Sequence, residues 1–535
     1  MTAVLNRGWV RVACGWLIVL MTALALLAFS AWDVVDDAYI SFRYSFNLAH
    51  GNGLVFNPGE WIEGFTNLLW TVLMAGPIAV GIPVDSVAVY VGIACGAFAV
   101  VDTFRTARAL GVNQWIALAA SALLAAYPGY WLVMGNGLES GLFTFLLMRT
   151  IFTLVAGSSP WTPGLWAGLL FATRPESLFV MPLAVAYRLL AGGFSPREWL
   201  RRITTTDMTL LVGPWLAIVL AISLWRLHTY GALLPNSIVA KSVPAYTLAF
   251  LLPNVREGFR YIERFVGTAA PLALGVLLAP LFAARLRAVW FFLAIIAAQC
   301  FILLVNGGDW VPNYRLLVHY TPVMSVLLAI GLSGLIRRAA ALGLTPRSLA
   351  LGGAAVLVAG SGGFLLEHNT WRSTPDLEST PHITFDCYGA IANAIKPALV
   401  PGDKVAPEAL GEFSYILSDT YSHDMLGLTD SYLARYGTFY IPMFGKEDLT
   451  YTYTHIHPEV FISHTQDAKG SLAQFARAVG PEFDSEYSTF RFPSLEGCDR
   501  ISMSVSRESA DRIVPALQPL NPRLISVAAQ LATYN

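Results

Sequence analysis

The sequence predicts a polytopic α-helical membrane protein that carries a separate α/β domain at its C-terminal end. Hydrophobic residues make up 55% of the 535 residues and charged residues only 13%. The mean hydropathy is +0.56, which is far from that of a soluble protein. Apolar runs of the roughly 20 residues that a membrane crossing requires recur along the first two thirds of the chain. From about residue 367, charged residues, proline and histidine return, and no run of that length follows.

The first apolar run, Val10 to Trp32, is long enough to cross a membrane, and Arg7 and Arg11 lie at its N-terminal side. Because Lys and Arg favour the cytoplasmic side, we expect a multi-pass plasma-membrane protein with a cytoplasmic N-terminus. A cleaved signal peptide is the alternative, but no small-residue cleavage site precedes Trp32.

Further apolar runs bring the expected number of crossings to about 11. They lie near residues 86–104, 113–131, 138–156, 206–225, 268–284, 289–305, 316–335 and 348–366. In addition, the stretch 161–190 has Arg174, Pro175 and Glu176 in its middle and predicts two short helices that meet. Residues 67–82, interrupted by Gly and Pro, predict a re-entrant or interfacial segment. Arginine clusters at 188–202, 285–287 and 337–338 predict the cytoplasmic face.

With that orientation, residues 367–535 form a soluble extracytoplasmic domain. Helix-like "CYGAIANAIKPAL" alternates there with strand-like "DKVAPEAL" and "PEVFIS", which predicts α/β layers. Cys387 and Cys498 share this domain, and an exported compartment permits disulfides, so a Cys387–Cys498 disulfide is expected. A net charge of −1 without a basic run gives no indication of a nucleic-acid partner.

An acidic segment, "DVVDDAYISFRYSFNLAHG", follows the first apolar run and contains Asp33, Asp36 and Asp37. Adjacent residues on a helix diverge by about 100°, so one aspartate could act as a catalytic base while its neighbour orients it or binds a cation. The alternatives are a solvated pair or a helix N-cap formed by Asp33 or Asp36.

The same segment predicts a helix that lies at the membrane interface. Ile40, Tyr44 and Leu48 fall on one side of it, whereas Arg43 and Asn47 fall on another. Such a division suits an interfacial helix, which would hold the aspartates at the boundary between water and lipid.

Further polar side chains are predicted at the outer membrane boundary. Charges in or near lipid are costly and are therefore functional candidates, although an ordinary loop acid, a structural Arg174–Glu176 ion pair or a simple interfacial anchor would explain single members. The candidates are Glu139, Arg174, Glu176, His228, Asn236, Lys241, Asp309, Trp310 and Arg315.

Together these residues suit a donor that has a phosphate on a lipid tail. Cations would hold the phosphate, a carboxylate would deprotonate an acceptor hydroxyl, and polar and aromatic groups would bind a sugar. A transporter or flippase of a lipid-linked glycan is the alternative, but its charges would lie near the midplane between repeated halves. A non-catalytic glycan-binding or assembly protein is a third hypothesis.

Five motifs in order resemble those of the integral-membrane GT-C glycosyltransferases, and in particular the branch that includes the mycobacterial terminal arabinofuranosyltransferase. They are "DDAYISFRYSFNLAHGNGLVFNPGEWIEGFTNLLW", "GLESGLF", "TRPES", "YGALLPNSIVAKS" and "GGDWVPNYRLLVHYTP". The resemblance implies a GT-C-like catalytic domain over residues 1–366. It implies an inverting transfer, plausibly of arabinofuranose, from a polyprenyl-phosphate donor to a cell-envelope glycan at the extracytoplasmic face, in contact with membrane lipid.

The resemblance also implies roles for single residues. Asp36 and Asp37 match the family's catalytic acidic pair, and Asp36 is the favoured base. The donor phosphate would be held by Arg174, Lys241 and Arg315. Sugar-binding or orienting roles fall to Glu139, Glu176, His228, Asn236, Asp309 and Trp310. No cofactor is certain, since a divalent cation on Asp33, Asp36 and Asp37 and a site built only from Arg and Lys both remain open.

Overall fold

A computed structural model of the chain describes residues 34–192, 206–241, 248–283, 286–309, 311, 313–343, 385–441, 445–464, 471–495, 498 and 501–527. The predicted spans at Val10 to Trp32 and 348–366, together with Asp33 and Trp310, lie outside the described residues. The boundary near residue 367 also lies outside them, so it stays a prediction.

The described residues between 34 and 343 are helical apart from turns and loops. Since a backbone in lipid must satisfy its own hydrogen bonds, long apolar segments fold as helices. The helices are α1 (Asp36–Ala49), α2 (Leu68–Ala79), α3 (Val84–Ala109), α4 (Gln114–Ala125), α5 (Pro128–Met134), α6 (Ser140–Val155), α7 (Trp161–Thr173), α8 (Val180–Leu189), α9 (Thr206–Tyr230), α10 (Asn236–Lys241), α11 (Leu248–Thr268), α12 (Ala270–Phe282), α13 (Leu286–Asn306), α14 (Arg315–Val318) and α15 (Thr321–Ala341).

Within the described ranges, four helices are long and apolar enough to cross a membrane: α3, α9, α13 and α15. The pairs α4 with α5 and α11 with α12 are bent by 64° and 98°, and they raise the number to six if each pair is one crossing. Pro128 and Pro271 stand in the first turn of the second helix of each pair, where proline is tolerated although it disfavours a continuous helix before it. The predicted span at 138–156 is the 16-residue helix α6, so the structure supports a membrane protein without fixing about 11 crossings.

The break predicted at "TRPES" is confirmed. Helix α7 ends at Thr173, Arg174 is extended with φ −153° and ψ 120°, and a 3₁₀ turn covers Pro175–Phe179 before α8. The residue before a proline avoids helical geometry, which places Arg174 at a kink where its side chain leaves the helix direction.

The C-terminal region is an α/β domain, as predicted. Its helices are α16 (Phe385–Ile395), α17 (Gly411–Ile416), α18 (Ser431–Tyr436), α19 (Leu449–Tyr451), α20 (Ser471–Val479), α21 (Phe483–Glu486) and α22 (Arg507–Leu517). Its strands are β1 (Lys404–Pro407), β2 (Tyr421–Ser422), β3 (Thr438–Ile441), β4 (Gly445–Glu447), β5 (Val460–His464), β6 (Tyr487–Arg491), β7 (Ile501–Ser506) and β8 (Arg523–Ile525).

Six of these strands form one mixed sheet in the order β2-β1-β5-β7-β6-β8. Strand β1 pairs in parallel with β2 and with β5. The pairs β5–β7, β7–β6 and β6–β8 are antiparallel. Every residue of β7 is buried, as expected for a central strand covered on both faces. The expected Cys387–Cys498 disulfide is present, with the two Cα atoms 5.7 Å apart.

The polar side of α1 is buried, while its predicted placement at the membrane interface stays a prediction. Arg43 is 0% exposed, Asn47 1% and Tyr44 0%, so both sides of α1 are covered. The polar side packs on the C-terminal domain, where Arg43 donates hydrogen bonds to the carbonyl oxygens of Leu417 and Thr420. Hydrophobic periodicity alone cannot reveal a covering element that lies so far along the chain.

Candidate active site

The loop that precedes α6 fixes the start of α1. The backbone N–H of Val35 donates to the carbonyl oxygen of Asn136 at 3.1 Å. Gly137 has a φ of +82°, and a Cβ there would lie 2.6 Å from Cγ1 of Val34. Glycine combines positive φ with such a close approach at little cost, so the first turn of α1 lies against the loop that carries Glu139.

A buried ion pair joins this loop to the kink between α7 and α8. Arg174 Nη1 donates to Glu139 Oε1 at 2.5 Å, and Arg174 Nε donates to Glu176, so the structural Arg174–Glu176 pair is present. Asn67 Nδ2 donates to Glu139 Oε2 at 2.7 Å. Burial alone would raise the pKa of Glu139, but the charges of Arg174 and Arg315 keep that pKa below its usual value, so Glu139 is ionised.

Arg315, the first residue of α14, links a second acid to this cluster. Its Nε donates to Asp309 Oδ2 at 2.6 Å, and its Nη2 lies 3.5 Å from Asp37 Oδ2. The backbone has left-handed angles next to both partners, with φ +104° at Gly308, before Asp309, and φ +53° at Tyr314, before Arg315. Such a conformation is uncommon for a tyrosine, and strained backbone of this kind clusters at functional sites.

Asp37 is a partly exposed acid beside Arg315. Its side chain is 18% exposed, compared with 9% for Arg315. Burial raises the pKa of Asp37, the charges of Lys241 and Arg315 oppose that rise, and Asp309 and Glu139 reinforce it. A partly exposed carboxylate whose pKa is raised above its usual value is suited to accept a proton.

Asp36 faces away from this cluster and toward the C-terminal domain. Its Oδ2 accepts the backbone N–H of Gly411 at 2.9 Å and its Oδ1 accepts that of Glu412 at 2.8 Å. The residue is 4% exposed. Helix α1 itself begins after Val35 without a side-chain cap, so Asp36 caps α17 of the distant domain rather than its own helix.

Two further predicted residues, His228 and Asn236, lie outside the buried cluster. His228 is exposed near the end of α9 and is not part of the buried cluster. Asn236 donates to the carbonyl oxygens of Gly427, Leu428 and Asp430, so it contacts the C-terminal domain.

Two residues to which the sequence assigned no role belong to the site, although His319 was expected at the outer membrane boundary. Asn67 fixes Glu139, as described above. His319 is 1% exposed, and its Nε2 has no hydrogen-bond partner among the described residues. Burial and the nearby charges of Arg174 and Arg315 lower the pKa of His319, so the ring is neutral. Both residues lie inside the quoted motifs, but nothing in the pattern distinguished them from interfacial anchors.

Of the three predicted cation ligands, Asp36 and Asp37 lie within the described residues and Asp33 does not. In the part of the chain that the structure describes, no three His, Cys, Asp or Glu side chains converge as ligands. Both oxygens of Asp36 accept backbone N–H groups, so a cation on the pair would displace two hydrogen bonds.

The chain is similar in sequence to one characterised transferase and in fold to another membrane protein. No family model matches the chain. It is 28% identical over 282 residues to the terminal beta-(1->2)-arabinofuranosyltransferase of Mycobacterium tuberculosis, an alignment that covers 48% of this chain and 42% of that protein. The chain therefore spans less than half the length of this relative.

The fold comparison covers nearly the whole chain. ArnT from Cupriavidus metallidurans, solved with undecaprenyl phosphate, matches with a TM-score of 0.54 at 14% identity over 93% of this chain and 99% of ArnT. Its apo form matches with a TM-score of 0.53 over the same shares at 14% identity. The chain thus shares the fold of ArnT and resembles in sequence the terminal arabinofuranosyltransferase of Mycobacterium tuberculosis.

Proposed function

We propose that the protein is an inverting glycosyltransferase, which moves a sugar from a polyprenyl-phosphate donor to a cell-envelope glycan at the extracytoplasmic membrane face. The observation that carries the proposal is the partly exposed carboxylate of Asp37 beside Arg315, within the field of Lys241. An acid that can take a proton next to cations that can hold a phosphate is what such a transfer requires.

In this mechanism Asp37 is the base. The acceptor hydroxyl oxygen attacks the anomeric carbon from the face opposite the phosphate, and its proton passes to the Asp37 carboxylate. The bond from the anomeric carbon to the phosphate oxygen breaks, and the lipid phosphate leaves with the electron pair. The raised pKa of Asp37 favours proton acceptance, whereas Asp36 is occupied by two backbone donors. The geometry therefore favours Asp37 over Asp36 for this step.

Both arginines of the site pair with acids. Arg174 pairs with Glu139 and Glu176, and Arg315 pairs with Asp309 and Asp37. Because the charges of Arg315 and Lys241 both act on Asp37, we assign to these two cations the developing charge on the leaving phosphate. Arg174 then acts as a third cation that also orients Glu139 toward a sugar hydroxyl.

Separate observations support the proposed compartment and the proposed sugar. The Cys387–Cys498 disulfide suits an oxidising, extracytoplasmic location for the C-terminal domain. The name of the curated relative makes arabinofuranose the first sugar to test. A transporter or flippase of a lipid-linked glycan is not favoured, since that relative is named as a transferase.

The test is sugar transfer by the purified full-length protein from synthetic polyprenyl-phosphoryl arabinofuranose to a short arabinan acceptor. We expect wild type to form product of inverted anomeric configuration, as read by NMR. Asp37→Asn should lower kcat by at least about a hundredfold. Asp207→Asn, an equivalent change at an exposed aspartate in the first turn of α9, should transfer as wild type does.

The outcomes separate the parts of the proposal. Full activity of Asp37→Asn would remove Asp37 as the base. Transfer from a different lipid-phosphate sugar only would keep the reaction and change the sugar. Translocation of donor across vesicle membranes without new glycosidic bonds would overturn the transferase assignment.

A further inference from the structure

The C-terminal domain is attached to two of the elements that carry the cluster. Helix α1 carries Asp37, and α10 ends at Lys241. Both elements make hydrogen bonds to the C-terminal domain through side chains that the proposed transfer does not use. These contacts determine what that domain can do for the site.

The first attachment is the cap that Asp36 forms on α17. The first N–H groups of a helix have no partner within it, and Leu410, which precedes α17, offers no side-chain cap. Asp36 supplies acceptors to two of these groups from a helix 375 positions earlier in the chain. A buried carboxylate is stable only with such partners, so the two helices stabilise each other.

The backbone of α17 reaches Asp36 because residue 411 is glycine. A Cβ at Gly411 would lie 1.9 Å from the carbonyl oxygen of Asp36 and 2.7 Å from its carboxylate carbon. Both contacts are far below any real Cβ distance. A side chain at this position would therefore separate the two helices.

Arg43, two turns along α1, holds the other end of α17. It donates to the carbonyl oxygen of Ser414, to that of Leu417 at 3.2 Å and to that of Thr420 at 2.8 Å. An anion at the N-terminal end and a cation at the C-terminal end both suit the helix dipole. One face of α1 thus binds α17 at both ends.

The second attachment holds α10. Asn236 Nδ2 lies 2.9 to 3.1 Å from three carbonyl oxygens of residues 427–430. Lys446 Nζ, from β4, donates to the carbonyl oxygens of Ala434 at 2.7 Å and Val239 at 3.3 Å. The C-terminal domain therefore contacts both the first residue of α10 and a residue two positions before Lys241.

We propose that the C-terminal domain is a positioning element of the active site, which sets Asp37 and Lys241 relative to Arg315, Asp309 and Glu139. Asp36 is a positioning residue, because it acts through the adjacent Asp37. This inference rests on the proposed function. Misplacement by about 1 Å costs as much as a hundredfold in rate, so a small rotation of α1 is sufficient to lower transfer.

Substitutions at Asp36 distinguish positioning from base catalysis. Asparagine retains one acceptor oxygen and is a good helix cap, whereas alanine has no acceptor. We expect kcat to fall about tenfold in Asp36→Asn and about a hundredfold in Asp36→Ala. Gly411→Ala should reproduce the loss from the other side, and its combination with Asp36→Ala should be far from additive. Gly76→Ala, where an added methyl group meets nothing within 4 Å, is the matched control. Equal and complete loss in Asp36→Asn and Asp36→Ala would overturn the proposal.

Hydrogen exchange provides a readout that does not depend on transfer. In the full-length protein, Asp36→Ala and Gly411→Ala should speed amide exchange in peptides that cover residues 411–420, while Asp37→Asn should leave it unchanged. Unchanged exchange in Asp36→Ala would overturn the attachment. If wild type transfers no sugar from any lipid donor but exchange responds as expected, the proposed function fails and the attachment stands.

Discussion

The two adjacent aspartates at the start of α1 have different surroundings. Asp36 is buried against backbone donors, whereas Asp37 lies partly exposed beside Arg315. The sequence predicted the pair and its neighbourhood in the motifs, including Glu139. The resemblance favoured Asp36 as the base, and no local pattern could show that Asp36 binds groups 375 positions further along the chain.

The pH dependence of transfer provides a residue-scale test. A base acts in its ionised form, so transfer should fall as the pH drops through the raised pKa of Asp37. Lys241→Met removes a charge that lowers this pKa and should move the acidic limb of kcat/KM to higher pH. Asp309→Asn removes a charge that raises it and should move the limb to lower pH. An acidic limb at the same pH in all three proteins would contradict Asp37 as the titrating group.

At the scale of elements, close helix packing holds the loop that carries Glu139. A Cβ at Gly141 in α6 would lie 2.0 Å from the carbonyl oxygen of Gly92 in α3. A Cβ at Gly92 would lie 2.2 Å from the carbonyl oxygen of Met134. The motif "GLESGLF" identified this region from the sequence, but the need for glycine depends on a helix crossing that no local pattern records.

Gly141→Ala should therefore be costly. The added methyl group forces α3 and α6 apart, and overpacking of this kind costs about 1–3 kcal/mol. We expect a lower Tm in detergent and reduced transfer, since Glu139 directly precedes α6. Gly76→Ala in α2 is the control, and equal Tm values for the two variants would contradict the packing argument.

At the scale of the whole molecule, composition predicted the division into an apolar helical region and an α/β domain. It also predicted the disulfide. The sequence did not reveal that the polar side of α1 is buried, where Arg43 donates to the carbonyl oxygens of Leu417 and Thr420. Local periodicity describes which residues share a face, whereas burial of that face depends on contacts between distant parts of the chain.

The disulfide closes a loop with a sequence separation of 111 residues. A disulfide that closes a loop of this length strongly restricts the unfolded chain. Loss of a native disulfide typically lowers the free energy of unfolding by about 2–5 kcal/mol. The double variant Cys387→Ser with Cys498→Ser should lower the Tm of the C-terminal domain, measured by the loss of near-ultraviolet circular dichroism. Wild type treated with reductant should match the variant, and an unchanged Tm in both would contradict a stabilising role.

The cap on α17 has a consequence for how related chains diverge. Asp36 binds main-chain groups, so the side chains of the C-terminal domain can drift without breaking the contact, provided that position 411 remains glycine. In a related chain that lost this domain, selection would no longer maintain the first aspartate, whereas it would still maintain the second. The order in which the two acids are substituted across a lineage would then indicate when the domain was lost.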